Sequence, residues 1–418
     1  AAPQGGSYRA LVAVNLAGGN DSANLLVPTS AAAYAVYQDS RQDLAVPQGD
    51  LLPIVPATPD GLDYGLHPAL APLAPHFAGG RLALVRNVGP LVQPVTKAEI
   101  EGGTAELPPK LYSHNDQTVR WMSTSASELT TDLGWGGVFA DELLALNGGA
   151  ALSPSISLQG TNELQVGALT QPYSLGTNGS IELEGFTGSL GSKRWLVYQQ
   201  LLAKSHANLH REQFAAVQQE AVLLDVLISA ALDAAPPLAT PFPATSLGNQ
   251  LKMVARMVGI RAALGMARQV FFVRQGGYDT HADQNEDQPV LLGQLADALA
   301  AFQAAMAELS VEDEVVAFTV SEFGRTLSSN GKGTDHGWGG HQLVLGGGVA
   351  GGDLYGTMPS LALDGPDDAG SNGRLIPTTS VDQMAATLGL WFGVAPAALP
   401  TLLPNLANFA TTDLGFMA

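Results

Sequence analysis

Residues 333–341 read GTDHGWGGH and bring Asp335, His336 and His341 within nine positions, in a chain of 418 residues that holds only eight histidines. Three other short stretches carry the same kinds of side chain: Asp21 beside Asn20 in NLAGGND, Asp279 and His281 in GGYDTHADQ, and Glu322 in FTVSEFGRT. Carboxylate oxygens and imidazole nitrogens are ligands for zinc, manganese or iron, and carboxylates also suit calcium. One divalent cation, or a pair, can clamp the attacking and leaving oxygens of a phosphoryl or related transfer. Asp21, Asp279, His281, Glu322, Asp335, His336 and His341 are therefore the candidate ligands, with zinc the first expectation. Each has an ordinary reading too, since Asp21 can cap its own turn and Glu322 can pair with Arg325. What lifts the set above those readings is that four separate segments each supply part of it.

For the four to meet, they must lie at one edge of one sheet. The chain alternates short β-rich runs with longer helical ones, which predicts an α/β fold with a mostly parallel sheet sandwiched by helices. YRALVAVNLAGGND is a continuous apolar run that ends in Gly-Gly-Asn-Asp, as a buried strand does when it leaves a sheet. RLALVRNVG, QVFFVRQ and DEVVAFTV read the same way. LHPALAPLAPHFAGG has helical spacing with a Gly-Gly stop, TSLGNQLKMVARMV reads as a Ser-capped amphipathic helix, and QPVLLGQLADALAAFQAAMAEL as an Ala/Leu helix returning across the sheet. Ligands of such sheets bind beyond the carboxyl ends of the strands, where these candidates fall. Residues 1–418 are expected to form one domain. Within it, 150–235 is rich in turn residues and then helical, which predicts an insertion or cap, and the Pro-rich 233–246 reads as a surface connection.

Composition narrows the partners. Acidic residues outnumber basic ones 38 to 19, a net charge of −19, so nucleic acid is not an expected partner. There is no cysteine, which excludes thiolate catalysis, Cys-ligated zinc and disulfides. No uninterrupted apolar run reaches the ~18 to 20 residues of a membrane helix, so no integral membrane segment is expected. The opening AAPQGG has the small-residue character of the end of a removed export signal. Nothing in the sequence sets an oligomeric state.

Taken together, NLAGGNDSANLLVP, GLHPALAPL, GRLALVRNVG, LYSHNDQ, GGYDTHADQ, FTVSEFGRT, GTDHGWGGH and IPTTSVDQMAATLGLWFGV resemble the bacterial exported family known as domain of unknown function 1501. The segments occur in order from residue 14 to 394. That family is in turn similar to the alkaline phosphatase and sulfatase superfamily, which holds one or two metals at the carboxyl edge of an α/β sheet. The resemblance implies that Asp21 matches the first metal-binding aspartate, Asp279 and His281 the mid-chain pair, Glu322 a strand-end aspartate, and His336 the late histidine. It makes Ser113 the nucleophile, with His114 or His341 able to replace a missing ligand, and it implies a periplasmic or secreted protein exported by a twin-arginine route.

The implied activity is metal-dependent hydrolysis of an anionic ester, a phosphate or sulfate on a small molecule or glycan, with Arg325, Arg86 or Arg120 as a substrate clamp. Two departures keep a second reading open. Phe323 stands where the superfamily often has a histidine ligand, and Asp279 and His281 are only two residues apart, so the fold can instead serve an inactive exported binding or assembly protein. Ser113, followed by Asp116, also reads as a helix cap.

Overall fold

The computed structural model describes residues 7–127, 133–179 and 188–418, without the side chains of 188–190. Its central sheet is built from β1 (Arg9–Ala17), β2 (Leu82–Gly89), β3 (Ser155–Ser157), β4 (Tyr173–Ser174), β5 (Arg268–Gly276), β6 (Val315–Val320), β7 (Gly340–Leu345), β8 (Leu354–Tyr355) and β9 (Thr379–Ser380). The spatial order is β8-β2-β7-β6-β1-β5-β3-β4, with β9 beside β2. All the pairings are parallel except the two made by β7, which runs against both β2 and β6. The expected mixed α/β architecture is what forms.

β1 lies at the centre because its sequence allows nothing else: from Ala10 to Ala17 every residue is buried. Its odd and even positions serve two cores. Val12, Val14 and Leu16 pack with helices α6 (Ser246–Gly259) and α7 (Gln284–Glu308), whereas Leu11 and Ala13 face α3 (Trp135–Glu142) and α8 (Val381–Phe392). Each large aliphatic side chain buried this way stabilises the fold by roughly 1.5–3 kcal/mol, so the period-two alternation fixes the register against slippage. Four more helices complete the frame used below: α1 (Ala31–Arg41), α2 (His114–Met122) and the hairpin of α4 (Gly188–Leu202) with α5 (Leu209–Ala234).

Several expectations shift in detail. The amphipathic helix is capped by Thr245, whose hydroxyl accepts from Gly248 N, and Ser246 is its first residue. α7 begins at Gln284, a turn before the predicted start, because the Gln284 and Gln288 amides are tied to Asp21. Within 150–235, β3 pairs with β5 and β4 with β3, so this part of the expected insertion forms an edge of the main sheet, followed by the α4–α5 hairpin. α5 and α7 are each long and apolar enough to cross a membrane although charges interrupt both; α7 lies in the core.

His341 is placed away from the other histidines. It sits on β7, buried, where its Nδ1 accepts from Asn87 N at 3.0 Å and its Nε2 finds no hydrogen-bond partner among the described residues. Burial, helped by the nearby Arg86 charge, pushes its pKa down to about 3. Its candidate role as a ligand is thus replaced by that of a neutral core histidine. In the unfolded chain the same imidazole takes its proton near the ordinary value, so between about pH 6.5 and pH 3 the unfolded state binds more protons and stability falls with falling pH. In urea unfolding between pH 6.5 and 4, His341→Gln, whose amide oxygen can still accept from Asn87, is expected to reduce that slope by about one proton. His67, held down to about 4 mainly by burial, leaves a residual slope.

Candidate metal centre

Five segments converge at the carboxyl ends of β1, β5 and β6. β1 delivers the Gly18–Asp21 turn, β5 delivers Asp279 and His281, β6 delivers Glu322 to Arg325, and the segment before β7 delivers Asp335 and His336. The start of α2 adds His114. The β6 exit and the 335–338 segment run against each other as a short antiparallel pair, with Gly324 N donating to Trp338 O at 2.9 Å and Gly337 N to Gly324 O at 2.8 Å. A side chain on Gly324 would press its Cβ to 2.1 Å from Gly339 O, which is why the GTDHGWGGH stretch and its partner are glycine-rich.

Asp279 is the hub. Its Oδ1 lies 3.0 Å from His281 Nε2 and 3.3 Å from His336 Nε2, and its Oδ2 lies 3.5 Å from His114 Nε2. His281 and His336 also face each other Nε2 to Nε2 at 3.0 Å. His114, Asp279 and His336 offer one ligand atom apiece within 4.8 Å of one another.

The far nitrogen of each ring has a partner of its own. His336 Nδ1 lies 2.7 Å from the Tyr112 carbonyl, His114 Nδ1 lies 2.9 Å from Glu322 Oε1, and His281 Nδ1 lies 3.2 Å from Asp335 Oδ1. A carbonyl and ionised carboxylates only accept, so each Nδ1 carries the proton and donates it. Each ring then turns its Nε2 toward the Asp279 carboxylate, presenting a lone pair there when the ring is neutral. Burial holds the His336 pKa below the ordinary imidazole value, so this ring is neutral near pH 7. Carboxylate–histidine and carbonyl–histidine pairs of this kind orient metal ligands.

The donor that does reach Asp279 is Arg325, Nη1 to Oδ1 at 2.7 Å. Arg325 is buried and also donates to Gly18 O and to Thr334, so it positions Asp279 and is not an open substrate clamp. Burial alone would raise the Asp279 pKa; the Arg325 hydrogen bond and charge outweigh that and hold it below the usual carboxylate range. Arg86 and Arg120 are likewise occupied in the interior, the first with Asp60 and Gly356 O, the second with Ser125 O.

Asp21 is not brought to the hub. Its carboxylate is buried against Arg41 and accepts from Gln284 Nε2 at 2.6 Å. Gln284 in turn accepts from Thr280 and Thr334, so Asp21 braces the loops that carry Asp279 and Asp335. Glu322 Oε1 accepts from Gly18 N at 2.8 Å as well as from His114, and the expected pairing of Glu322 with Arg325 does not form. Phe323 is buried and stacks on His336 at a ring separation of 4.6 Å, with His114 at 4.9 Å on another side. Ser113 occupies the cap position of α2, yet its hydroxyl donates to Asp116 at 2.6 Å instead of capping the backbone.

Two residues beside the hub have no signal in the sequence. Tyr112 adopts φ 72°, a left-handed conformation that aims its carbonyl at His336. Arg374 lies with its guanidinium carbon 4.1 Å over the Tyr112 ring, and its Nε donates to His336 O at 3.1 Å. No carboxylate lies within 4.0 Å of it among the described residues, whose ion pairs do not include it. It is the cation beside the hub whose charge is not spent on a neighbour.

The model of the family described as "Protein of unknown function (DUF1501)" matches residues 8–390. The chain belongs to this family. No characterised protein matches it in sequence. Among solved structures it is similar to the soluble domain of lipooligosaccharide phosphoethanolamine transferase A from Neisseria meningitidis, at 10% identity and a TM-score of 0.34, over 96% of this chain and 94% of that one. It is also similar to a phosphonate monoester hydrolase from Silicibacter pomeroyi, at 10% identity and 0.33, over 96% and 77%. A 2-O GAG sulfatase matches at 11% identity and 0.33, over 95% and 75%. At such scores the chemistry of this DUF1501 chain rests on its own side chains.

Gly18 ties the centre together, since its N–H donates to Glu322 and its carbonyl accepts from Arg325. It has φ 123°, and a Cβ there would sit 2.3 Å from Asp279 N. Gly18→Ala is expected to cost about 2 to 3 kcal/mol, read as a lower urea midpoint with an unchanged slope.

Proposed function

We propose that this protein is a metal-dependent hydrolase of anionic esters, with a divalent cation, zinc first, held by His114, Asp279, His281 and His336. The observation that carries the reading is the set of three Nε2 atoms facing one carboxylate. With the rings neutral, contacts of 3.0 to 3.5 Å set acceptor against acceptor, which is repulsive. A cation among them turns the same geometry into attraction, and three nitrogens with one carboxylate oxygen is a donor set that zinc takes. When bound, such a cation supplies Lewis acidity toward an ester oxygen and lowers the pKa of an attached hydroxyl or water.

The protein's own groups have distinct tasks. Glu322, Asp335 and the Tyr112 carbonyl hold the three imidazoles in one tautomer and orientation. Arg325 fixes the Asp279 carboxylate. Arg374, rigid on the Tyr112 ring, grips a phosphate or sulfate oxygen; a local cation is required because the net charge of −19 repels anions at long range. Ser113 is the side-chain nucleophile in this reading, and its hydroxyl donates to the Asp116 carboxylate, the group within reach of its proton. Export to the periplasm or beyond belongs to the same proposal, with a small molecule or glycan carrying the ester.

Protein purified without chelators is expected to hold about one divalent ion per chain by elemental analysis, and Asp279→Ala and His336→Ala about a tenth of that or less. An unchanged metal content in those variants overturns the ligand set. Aryl phosphate and aryl sulfate esters test the chemistry: retained metal with no chromophore released supports the binding-protein reading instead. In the active protein Arg374→Ala is expected to raise KM about tenfold while leaving the metal in place. Ser113→Ala should remove turnover without removing metal, and surviving turnover assigns the attack to water.

A further inference from the structure

A cavity of about 530 Å³ lies between the chain that follows α1, the turn Pro68–Leu73 and the first turns of α7. Spaces of roughly 300–1,000 Å³ with apolar walls and a few placed polar groups are the form small-molecule sites take. None of the residues proposed to hold the cation lines this one. Its walls are apolar where Leu44, Val46, Pro68 and Pro289 face it, and polar where Asn24, Gln284 and Gln288 do. Those amides are already engaged. Asn24 Nδ2 donates to Leu44 O and to Gln288 Oε1, Gln288 Nε2 to Asp21 O, and Gln284 Nε2 to the Asp21 carboxylate. They stiffen the wall and leave the contact with a ligand to other groups.

His67 is one of these. It is 5% exposed, and its Nδ1 caps the Pro68–Leu73 turn by accepting from Ala69 N at 3.1 Å. A nitrogen that accepts from a backbone N–H holds no proton, so the ring carries its proton on Nε2. Burial keeps the ring neutral near pH 7, its pKa brought down to about 4. Nε2 has no hydrogen-bond partner among the described residues, and it is not sealed from solvent, so its N–H opens into the cavity that His67 lines. Asp43 and Asp50 line the same space, both exposed and neither in an ion pair among the described residues.

One buried donor and two carboxylates at the rim select the occupant by exclusion. A cation suits the carboxylates but meets an N–H at His67. An anion suits the N–H but meets two like charges, in a chain of net charge −19. A hydroxyl accepts from the first and donates to the second. Several hydroxyls on a ring whose C–H face can pack on Leu44 and the prolines describe a sugar.

We propose that this cavity binds a neutral sugar, with His67 Nε2 donating to one hydroxyl and the carboxylates of Asp43 and Asp50 accepting from others. The inference stands apart from the metal centre and holds whatever chemistry that centre performs. It is tested on the full chain by ligand-detected NMR titration with glucose, galactose, mannose, N-acetylglucosamine, maltose and lactose, with metal content and thermal unfolding as controls for folding. At least one of these is expected to bind with a millimolar Kd or tighter. His67→Asn keeps an oxygen that can accept from Ala69 N and removes the N–H, and it should weaken the sugar about tenfold while leaving metal content unchanged. Asp43→Ala combined with Asp50→Ala, at exposed positions, should weaken it to a similar extent, which decides the matter even if His67→Asn does not fold. No binding of any of these sugars at millimolar concentration overturns the proposal, as does a sugar whose affinity neither variant changes. So does binding of putrescine or of inorganic phosphate in place of sugar, lost in the same variants, because the occupant is then a cation or an anion.

Discussion

Three imidazoles turned Nε2-first toward one carboxylate are the arrangement on which the rest of the centre depends. Each ring is fixed from behind: by Glu322, by Asp335 and by the carbonyl of a tyrosine in a left-handed conformation. Phe323, packed against two of the rings, and the Arg325 pair with Asp279 hold the same geometry. The side chains are thus fixed in direction by their own neighbours, so the proposed cation would meet them without a rearrangement.

The remainder of the fold can be read as support for that geometry. β1 is buried on both faces and delivers Gly18, whose N–H and carbonyl touch the two residues that orient the hub, Glu322 and Arg325. Behind them, Asp21 anchors Gln284, Gln284 binds Thr280 and Thr334, and Thr334 receives Arg325. This chain of buried, hydrogen-bonded polar groups connects three strand ends, and removing one member leaves charged neighbours unpaired in a low-dielectric interior.

Much of this was legible in the sequence, for a specific reason. Continuous apolar runs such as ALVAVNLA and VVAFTV can only be central strands, and once they are strands their exits must share an edge; that is how Asp279, His281, Glu322, Asp335 and His336 could be grouped from positions far apart in the chain. What could not be read was direction within the exits. Asp21 and Asp279 both follow apolar strands and a Gly-Gly pair, yet one meets Arg41 and the other meets the histidines, a difference set by tertiary packing. His341 falls in the same nine residues as His336 but is already on β7, facing Asn87. Arg374 was invisible because it comes from a turn with no periodic pattern, and its role depends on lying over Tyr112 from a remote segment.

The same packing bears on how many cations the centre can serve. A second ion would need its own donors, and the other candidates lie apart from Asp279: Asp21 pairs with Arg41 through Oδ2, its Oδ1 having no hydrogen-bond partner among the described residues, His341 is buried on β7 and accepts from Asn87, and the position after Glu322 is a phenylalanine. In the proposed function what converges on Asp279 would serve one ion. A single-ion centre gives up one of the two positive charges that a paired site would set against a transferred phosphoryl or sulfuryl group. Under the proposed function the charge available to take its place is the guanidinium of Arg374, held over the Tyr112 ring and hydrogen-bonded to the His336 carbonyl. An arginine held that way is fixed in direction as well as charge, so in that reading it would narrow the shape of anion that fits.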